Sequence, residues 1–238
     1  FLCLLTPLSA LLSAGVLTAT AEDPPASTDV GVVLLLNLEN NLTLYEKEAD
    51  TNVYPSSSVK IMTGLLACRA LADRLDETVT VSAAMVAGGT GRSMHLADGE
   101  MLTVKDLLYA AICGGYNDAA CVLACLSSGS VAAFVEDMNE EALRLGTLHT
   151  RYTNPTGMHD EAMVTTAHDT ALIALYAYNL EQFMDFAALL KYTLPETNMN
   201  EQFTVYNRNC LISLYYETGY FYKKARGMNA GSTLEGGY

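Results

Sequence analysis

Positive charge is scarce in this chain. Thirteen lysines and arginines face 27 aspartates and glutamates, leaving a formal net charge of −14. Such a surface repels phosphate backbones and anionic headgroups, so no nucleic-acid partner is expected. Tryptophan is absent, and the aromatic content is mainly tyrosine. No internal repeat is evident. Metal-ligand spacing is also missing. Cys121 and Cys125 stand four apart without further ligands, and Asp160, Glu161 and Asp169 do not complete a set. The expectation is no metal and no cofactor. Apolar residues, by contrast, make up half of the 238 positions. That is enough for a proper core in one large domain or two small ones, and it excludes bulk disorder.

Charge of either sign is missing from residues 1–20, which carry Leu4, Leu5, Leu8, Leu11, Leu12, Val16 and Leu17. The run closes on Ala19-Thr20-Ala21, a small-x-small pattern, before Glu22 and Asp23. Residues 1–21 read as a secretory signal that lacks its basic start. A membrane anchor is the competing reading, since about 20 apolar residues can span a bilayer. Pro7, the serines and threonines, and the cleavage pattern favour the signal, so the mature chain is expected to be exported. Because the chain opens on Phe1, its natural beginning is expected to be missing. Residues 22–29 read as a linker and 30–238 as the folded domain. Beyond the leader lie five cysteines, Cys68, Cys113, Cys121, Cys125 and Cys210, in apolar surroundings. Small buried core residues are a better account of them than disulfides.

The folded region begins with a continuous apolar run, 30–36, which fits a strand buried on both faces. Turn residues 37–41 and the alternating segment 42–45 make it a hairpin. Pro55 pre-sets the entry to a helix running to about residue 74. A β-like segment at 78–81 and a glycine loop at 88–91 follow. Helices are expected over 102–111, 119–126, 131–145 with Gly146 as C-cap, 166–180 and 183–190. A glycine turn, Cys113-Gly114-Gly115-Tyr116-Asn117-Asp118, separates the first two, and Asp118 there reads as an N-cap or turn former. Residues 152–160 read as a Pro/Gly loop and 203–222 as mixed, strand-like and aromatic. Strands, a helical middle and strands again predict an α+β domain whose antiparallel sheet uses both ends of the chain.

Chemistry enters at Tyr54-Pro55-Ser56-Ser57-Ser58-Val59-Lys60. Ser57 and Lys60 lie three apart at the start of a helix-compatible run, on one helical face. A serine hydroxyl is a weak nucleophile until a base takes its proton, and a lysine of lowered pKa can be that base. Three residues after Ser56 and Ser58 come Val59 and Ile61, so only the Ser57 register works. His159 and His168 read as structural or surface residues.

The stretch 54–63 resembles the active-site segment of the D-alanyl-D-alanine carboxypeptidases, the low-molecular-mass penicillin-binding proteins. Segments 44–47, 117–120, 138–146, 153–160, 165–169, 207–209 and 227–238 follow in that family's order. The resemblance implies a β-lactamase/transpeptidase-like fold and acyl transfer, with Ser57 as nucleophile and Lys60 as its base. The substrate implied is a peptidoglycan stem peptide ending in D-Ala-D-Ala, with β-lactam antibiotics as acylating ligands. The oxyanion hole would use the N–H of Ser57 and another from the late glycine-containing strand.

Three departures accompany the resemblance. The family's second motif, Ser-x-Asn, falls on Gly115-Tyr116-Asn117, which keeps the asparagine and loses the hydroxyl. Tyr116 offers a phenol only from a neighbouring position. The third motif, Lys-Thr-Gly, falls on Asn229-Ala230-Gly231 and loses the cation and hydroxyl that hold the substrate carboxylate. Lys223, Lys224 and Arg226 read as a solvated basic patch. The chain also stops where two further strands should complete the sheet, so it is expected to be a fragment. The leading expectation is an exported D-Ala-D-Ala carboxypeptidase that trims peptidoglycan. The alternative is a weakened homologue that binds cell-wall peptide or a partner protein without efficient turnover. A class A β-lactamase comes third, because no Glu-x-x-Leu-Asn deacylation segment is found.

Overall fold

The computed structural model describes residues 31–213, 215 and 219–231. The expected signal at 1–21, the linker at 22–29 and the chain beyond residue 231 lie outside the described residues. The first apolar run and the alternating segment pair as expected, β1 (Val33–Asn37) antiparallel to β2 (Leu42–Lys47). Asn37 and Asn40 shape the turn by accepting the backbone N–H groups of Glu39 and Leu42.

The helix expected from Pro55 divides into three. A 3₁₀ turn at Ser56–Ser58 leads into α1 (Val59–Ala70), and a second 3₁₀ turn covers Ala72–Arg74. Val59, Met62, Leu65, Ala67 and Cys68 are fully buried and point in several directions around the axis. A helix apolar on all sides belongs in the middle of a molecule. Gly64 permits the closest of its contacts, since a Cβ there would stand 2.7 Å from Phe183 Cε2.

Next come β3 (Thr78–Thr80), the short α2 (Ala83–Val86) and β4 (Met101–Thr103), which pairs antiparallel with β3. A helix expected from residue 102 therefore begins late. Thr103 is its N-cap, in a reciprocal capping box with Asp106, and α3 spans Val104–Leu108. The helix then widens into a π turn at Tyr109–Cys113. After the glycine turn come α4 (Asn117–Ser128) and α5 (Val131–Leu145), the latter closed by Gly146 at φ 93°. The N-cap of α4 is Tyr116, not Asp118. The Asp118 carboxylate accepts from Ser93 Oγ and from the backbone N–H groups of Met94 and Leu96, binding the preceding loop to α4.

Helices α6 (Ala167–Tyr178) and α7 (Glu181–Ala187) complete the helical layer. β5 (Lys191–Leu194), which periodicity did not single out, pairs with β6 (Phe203–Tyr206). From residue 207 the described chain is irregular. The architecture is α+β, with three two-stranded antiparallel sheets among the described residues. The described strands place no partner from the late chain beside β1 and β2. Instead Gly227 and Met228 approach the hairpin and, with Leu34, Leu36, Ala174 and Leu175, line an apolar groove of about 420 Å³. The five cysteines among the described residues are unpaired, three of them buried and two half-buried.

Candidate active site

Ser57 is held at the head of α1 by an unusual local backbone. Ser56, just before it, is buried with φ at +50°, a left-handed conformation that non-glycine residues adopt at a cost. Gly157 presses on this kink from the other side. A Cβ at Gly157 would stand 1.9 Å from the Ser56 carbonyl oxygen, and its own φ is +81°. Only glycine fits there. Asn154 shapes this loop, its Oδ1 accepting from Thr156 Oγ1 and from the N–H groups of Thr156 and Gly157.

Lys60 follows one helical turn later, 1% exposed. Its Nζ donates to the Thr156 carbonyl at 2.5 Å, and the next turn repeats the tie through Thr63 Oγ1 to the Pro155 carbonyl. Burial drives the ammonium down to about pKa 7. Cys121 is the next influence and opposes this, while Arg92 and then Arg208 repel the charge and lower it to a lesser extent. A lysine so placed has a substantial neutral fraction at physiological pH, the state a general base needs.

The second wall is the glycine turn. The π turn ends at Cys113, and Gly115 takes φ +73°. Asn117 is buried on the cavity, its Nδ2 donating to the Thr90 carbonyl at 2.6 Å while its Oδ1 has no partner. That oxygen is an acceptor waiting for a donor, an expensive arrangement inside a protein unless something fills the space. Tyr116 faces elsewhere. It lines a neighbouring cavity with Phe203 and Leu96, so its phenol does not replace the missing serine hydroxyl.

The third wall is the late segment. A Cβ on Gly231 would meet Ser57 Cβ at 2.2 Å and Ser57 Oγ at 2.7 Å, so this backbone lies directly on the serine. Ala230 lines the same space, whereas Asn229 does not, and its side-chain amide is buried without hydrogen bonds. Together Ser57, Gly115, Asn117, Ala230 and Gly231 border a cavity of about 230 Å³, and Lys60 is tied to the carbonyl of Thr156, another of its lining residues. Two further lining residues are charged, Arg92, which no motif contains, and Arg208, which lies in the matched segment 207–209 but had no role assigned. None of the lining among the described residues is acidic. Among the described residues no group of three or more His, Cys, Asp or Glu is placed to hold a metal ion.

Sequence reading singled out Ser57 and Lys60 because their relation is local. The segment 207–209 was matched, but without a role for Arg208. Thr156 was read as part of a turn, and its carbonyl contact with Lys60 spans 96 positions. Arg92 sits in an exposed loop where nothing in the local pattern pointed to the cavity.

This fold recurs in solved structures. A Streptomyces DD-transpeptidase superposes with a TM-score of 0.76 at 28% identity, covering 89% of this chain and 84% of its own. A penicillin-binding protein 5 from Haemophilus influenzae gives 0.71 at 25%, covering 79% and 55%. The fold is that of the penicillin-binding DD-peptidases. A family model described as D-alanyl-D-alanine carboxypeptidase matches residues 18–238. The chain belongs to the D-alanyl-D-alanine carboxypeptidase family. A D-alanyl-D-alanine carboxypeptidase of Bacillus subtilis is 32% identical over 195 residues, 79% of this chain and 50% of the relative. One from Streptomyces is 31% identical over 221 residues, 87% and 76%. The chain thus spans about half the length of the Bacillus relative.

Proposed function

We propose that this chain is an exported serine acyl-transferase that removes the terminal D-alanine from peptidoglycan stem peptides. The observation that carries the reading is the buried Lys60 amine, held near pKa 7 one turn from Ser57. Ser57 Oγ attacks the carbonyl carbon between the last two D-alanines as its proton passes to Lys60 Nζ. The tetrahedral oxyanion is met by the Ser57 N–H and a backbone N–H of the late glycine-bearing segment. The carbon–nitrogen bond then breaks, and D-alanine leaves with the proton on its amine. Water cleaves the acyl-Ser57 ester and regenerates the hydroxyl. Asn117 Oδ1 is available to accept a peptide N–H, and Arg208 supplies positive charge for the substrate's terminal carboxylate. β-Lactams enter as acylating ligands of the same serine.

A second reading is supported by the turn at Gly115. With no hydroxyl there, and with Tyr116 facing the neighbouring cavity, proton delivery to the leaving amine lacks a side chain. Acylation by the peptide is then slow, and the chain serves chiefly to bind cell-wall peptide. Labelling with a fluorescent penicillin tests the first step. The label is expected on the native chain and absent from Ser57→Ala. A folded native chain that takes no label refutes the acyl-transfer reading. Release of D-alanine from a D-Ala-D-Ala peptide then separates turnover from slow acylation.

A further inference from the structure

The loop that carries Arg92 is more firmly fixed than an exposed glycine loop need be. The Arg92 carbonyl accepts from Asn117 N–H at 2.7 Å, and the Asp118 carboxylate grips residues 93–96. The side chain is fixed as well. Nε donates to the Gly114 carbonyl at 2.6 Å, and the guanidinium carbon lies 4.5 Å from the centroid of the Tyr116 ring. Stacking and one hydrogen bond leave the terminal nitrogens, with four of the five N–H donors, unbonded. In a chain where acids outnumber bases two to one, Arg92 makes no ion pair among the described residues.

Its neighbours make that state unfavourable. A Cβ on Gly115 would stand 3.3 Å from Arg208 Cγ and 3.9 Å from Arg92 Cδ, so two arginine stems flank the glycine. Both repel the Lys60 charge, and among the described residues no carboxylate lines the cavity beside Arg92. A preorganised, unpaired cation beside a second cation is an anion site lacking its anion.

We propose that Arg92 is a specificity-determining residue, whose guanidinium, stacked on Tyr116, receives the substrate's terminal carboxylate jointly with Arg208. The proposal rests on the reading of the cavity as a site for D-Ala-D-Ala peptides. It assigns the work of the cation absent at Asn229 to a different loop, across the cavity from the late segment. The bare Gly115 is part of the same arrangement, because the space above it holds the arginine stems.

A merely structural Arg92 would tie its loop to Gly114, and binding measurements separate the two roles. In a Ser57→Ala background, an N-acylated peptide ending in D-Ala-D-Ala is compared with the same peptide as its C-terminal amide. The acid is expected to bind more tightly than the amide by about tenfold or more, the ratio that one charged hydrogen bond supports. Arg92→Gln, which keeps an amide donor for the Gly114 carbonyl, should remove most of that preference and leave the amide's affinity unchanged. Arg92→Lys should keep part of it. An acid/amide ratio unchanged in Arg92→Gln, equal weakening of both peptides, or binding of neither peptide to the parent overturns the proposal. If Arg92→Gln does not fold, a preference undiminished in Arg92→Lys does so. In the Ser57 protein, Arg92→Gln should raise KM for the acid peptide more than it lowers kcat. It should also move the acid limb of the acylation profile to higher pH. Because the binding comparison needs no catalysis, failure of Ser57 to acylate would refute the proposed function without deciding this point.

Discussion

Lys60 is buried at a cost that only its chemistry explains. In the unfolded chain it keeps its proton up to the ordinary lysine value of 10.5, but in the folded protein only up to about 7. Between those values the unfolded chain binds the extra proton. Stability therefore climbs with pH across that window, and the penalty is full below it. Lys60→Met is expected to gain on the order of 2 kcal/mol at pH 7, net of the donor lost by the Thr156 carbonyl. The gain should shrink toward pH 10, as measured by denaturant unfolding at the two pH values, while penicillin labelling disappears at both. A variant less stable than the parent at pH 7 would mean that the Thr156 contact outweighs the cost of burial. At this scale the sequence was readable where chemistry is local. Ser57 and Lys60 declare themselves by spacing, and Asn117 by its place in an ordered set of segments. Arg92 does not, because a lone arginine in a loop looks like any solvated charge until the fold brings a cavity to it, and Arg208 lay in a matched segment whose order alone gave it no role.

Among the elements, the ones legible in advance carried their own punctuation: the hairpin with its asparagine turn, α5 with Gly146, and α6 with Thr166 at its N-cap. The misjudged ones depend on partners. Residues 101–103 pair with β3 and so cannot begin a helix, and β5 exists because β6 lies beside it. The backbone around the nucleophile is also a matter of partners, and it yields a contrasting pair of variants. Gly157→Ala must abandon φ +81° and collide with the Ser56 carbonyl, at a cost of about 2–3 kcal/mol in stability. Gly231→Ala intrudes on Ser57 from the exposed end of a half-buried segment, so its melting temperature should change less than that of Gly157→Ala. Its acylation rate should still fall by about 100-fold, the scale of loss that an ångström of misplacement brings. Thermal melts set beside penicillin-labelling rates distinguish the two. Equal losses of stability would contradict the assignment of Gly231 to the site alone.

For the molecule as a whole, composition and site have opposite signs. A chain of net charge −14 brings Arg92 and Arg208 to one cavity, and among the described residues no acid lines it. On the proposed function, the local field draws in a carboxylate-terminated peptide against the general repulsion, and dissolved salt weakens that pull. KM for a D-Ala-D-Ala acid should therefore rise several-fold between low salt and about 0.5 M, with much less change for the amide. An equal response from both peptides would remove long-range attraction from the account. The α+β class and the family were legible from the order of segments. The division into three small sheets was not, because strand partnership is decided by tertiary contacts.

Gly231 resting on Ser57 has a consequence for the order in which a living cell makes this protein. The serine and lysine emerge early from the ribosome, but the backbone that closes over the hydroxyl is synthesised much later. Until that later stretch has docked, the nascent chain carries a reactive pair without the enclosure that makes it an acyl acceptor. On the proposed function, activity switches on at closure, and a covalent label on Ser57 marks a molecule whose early and late parts have met.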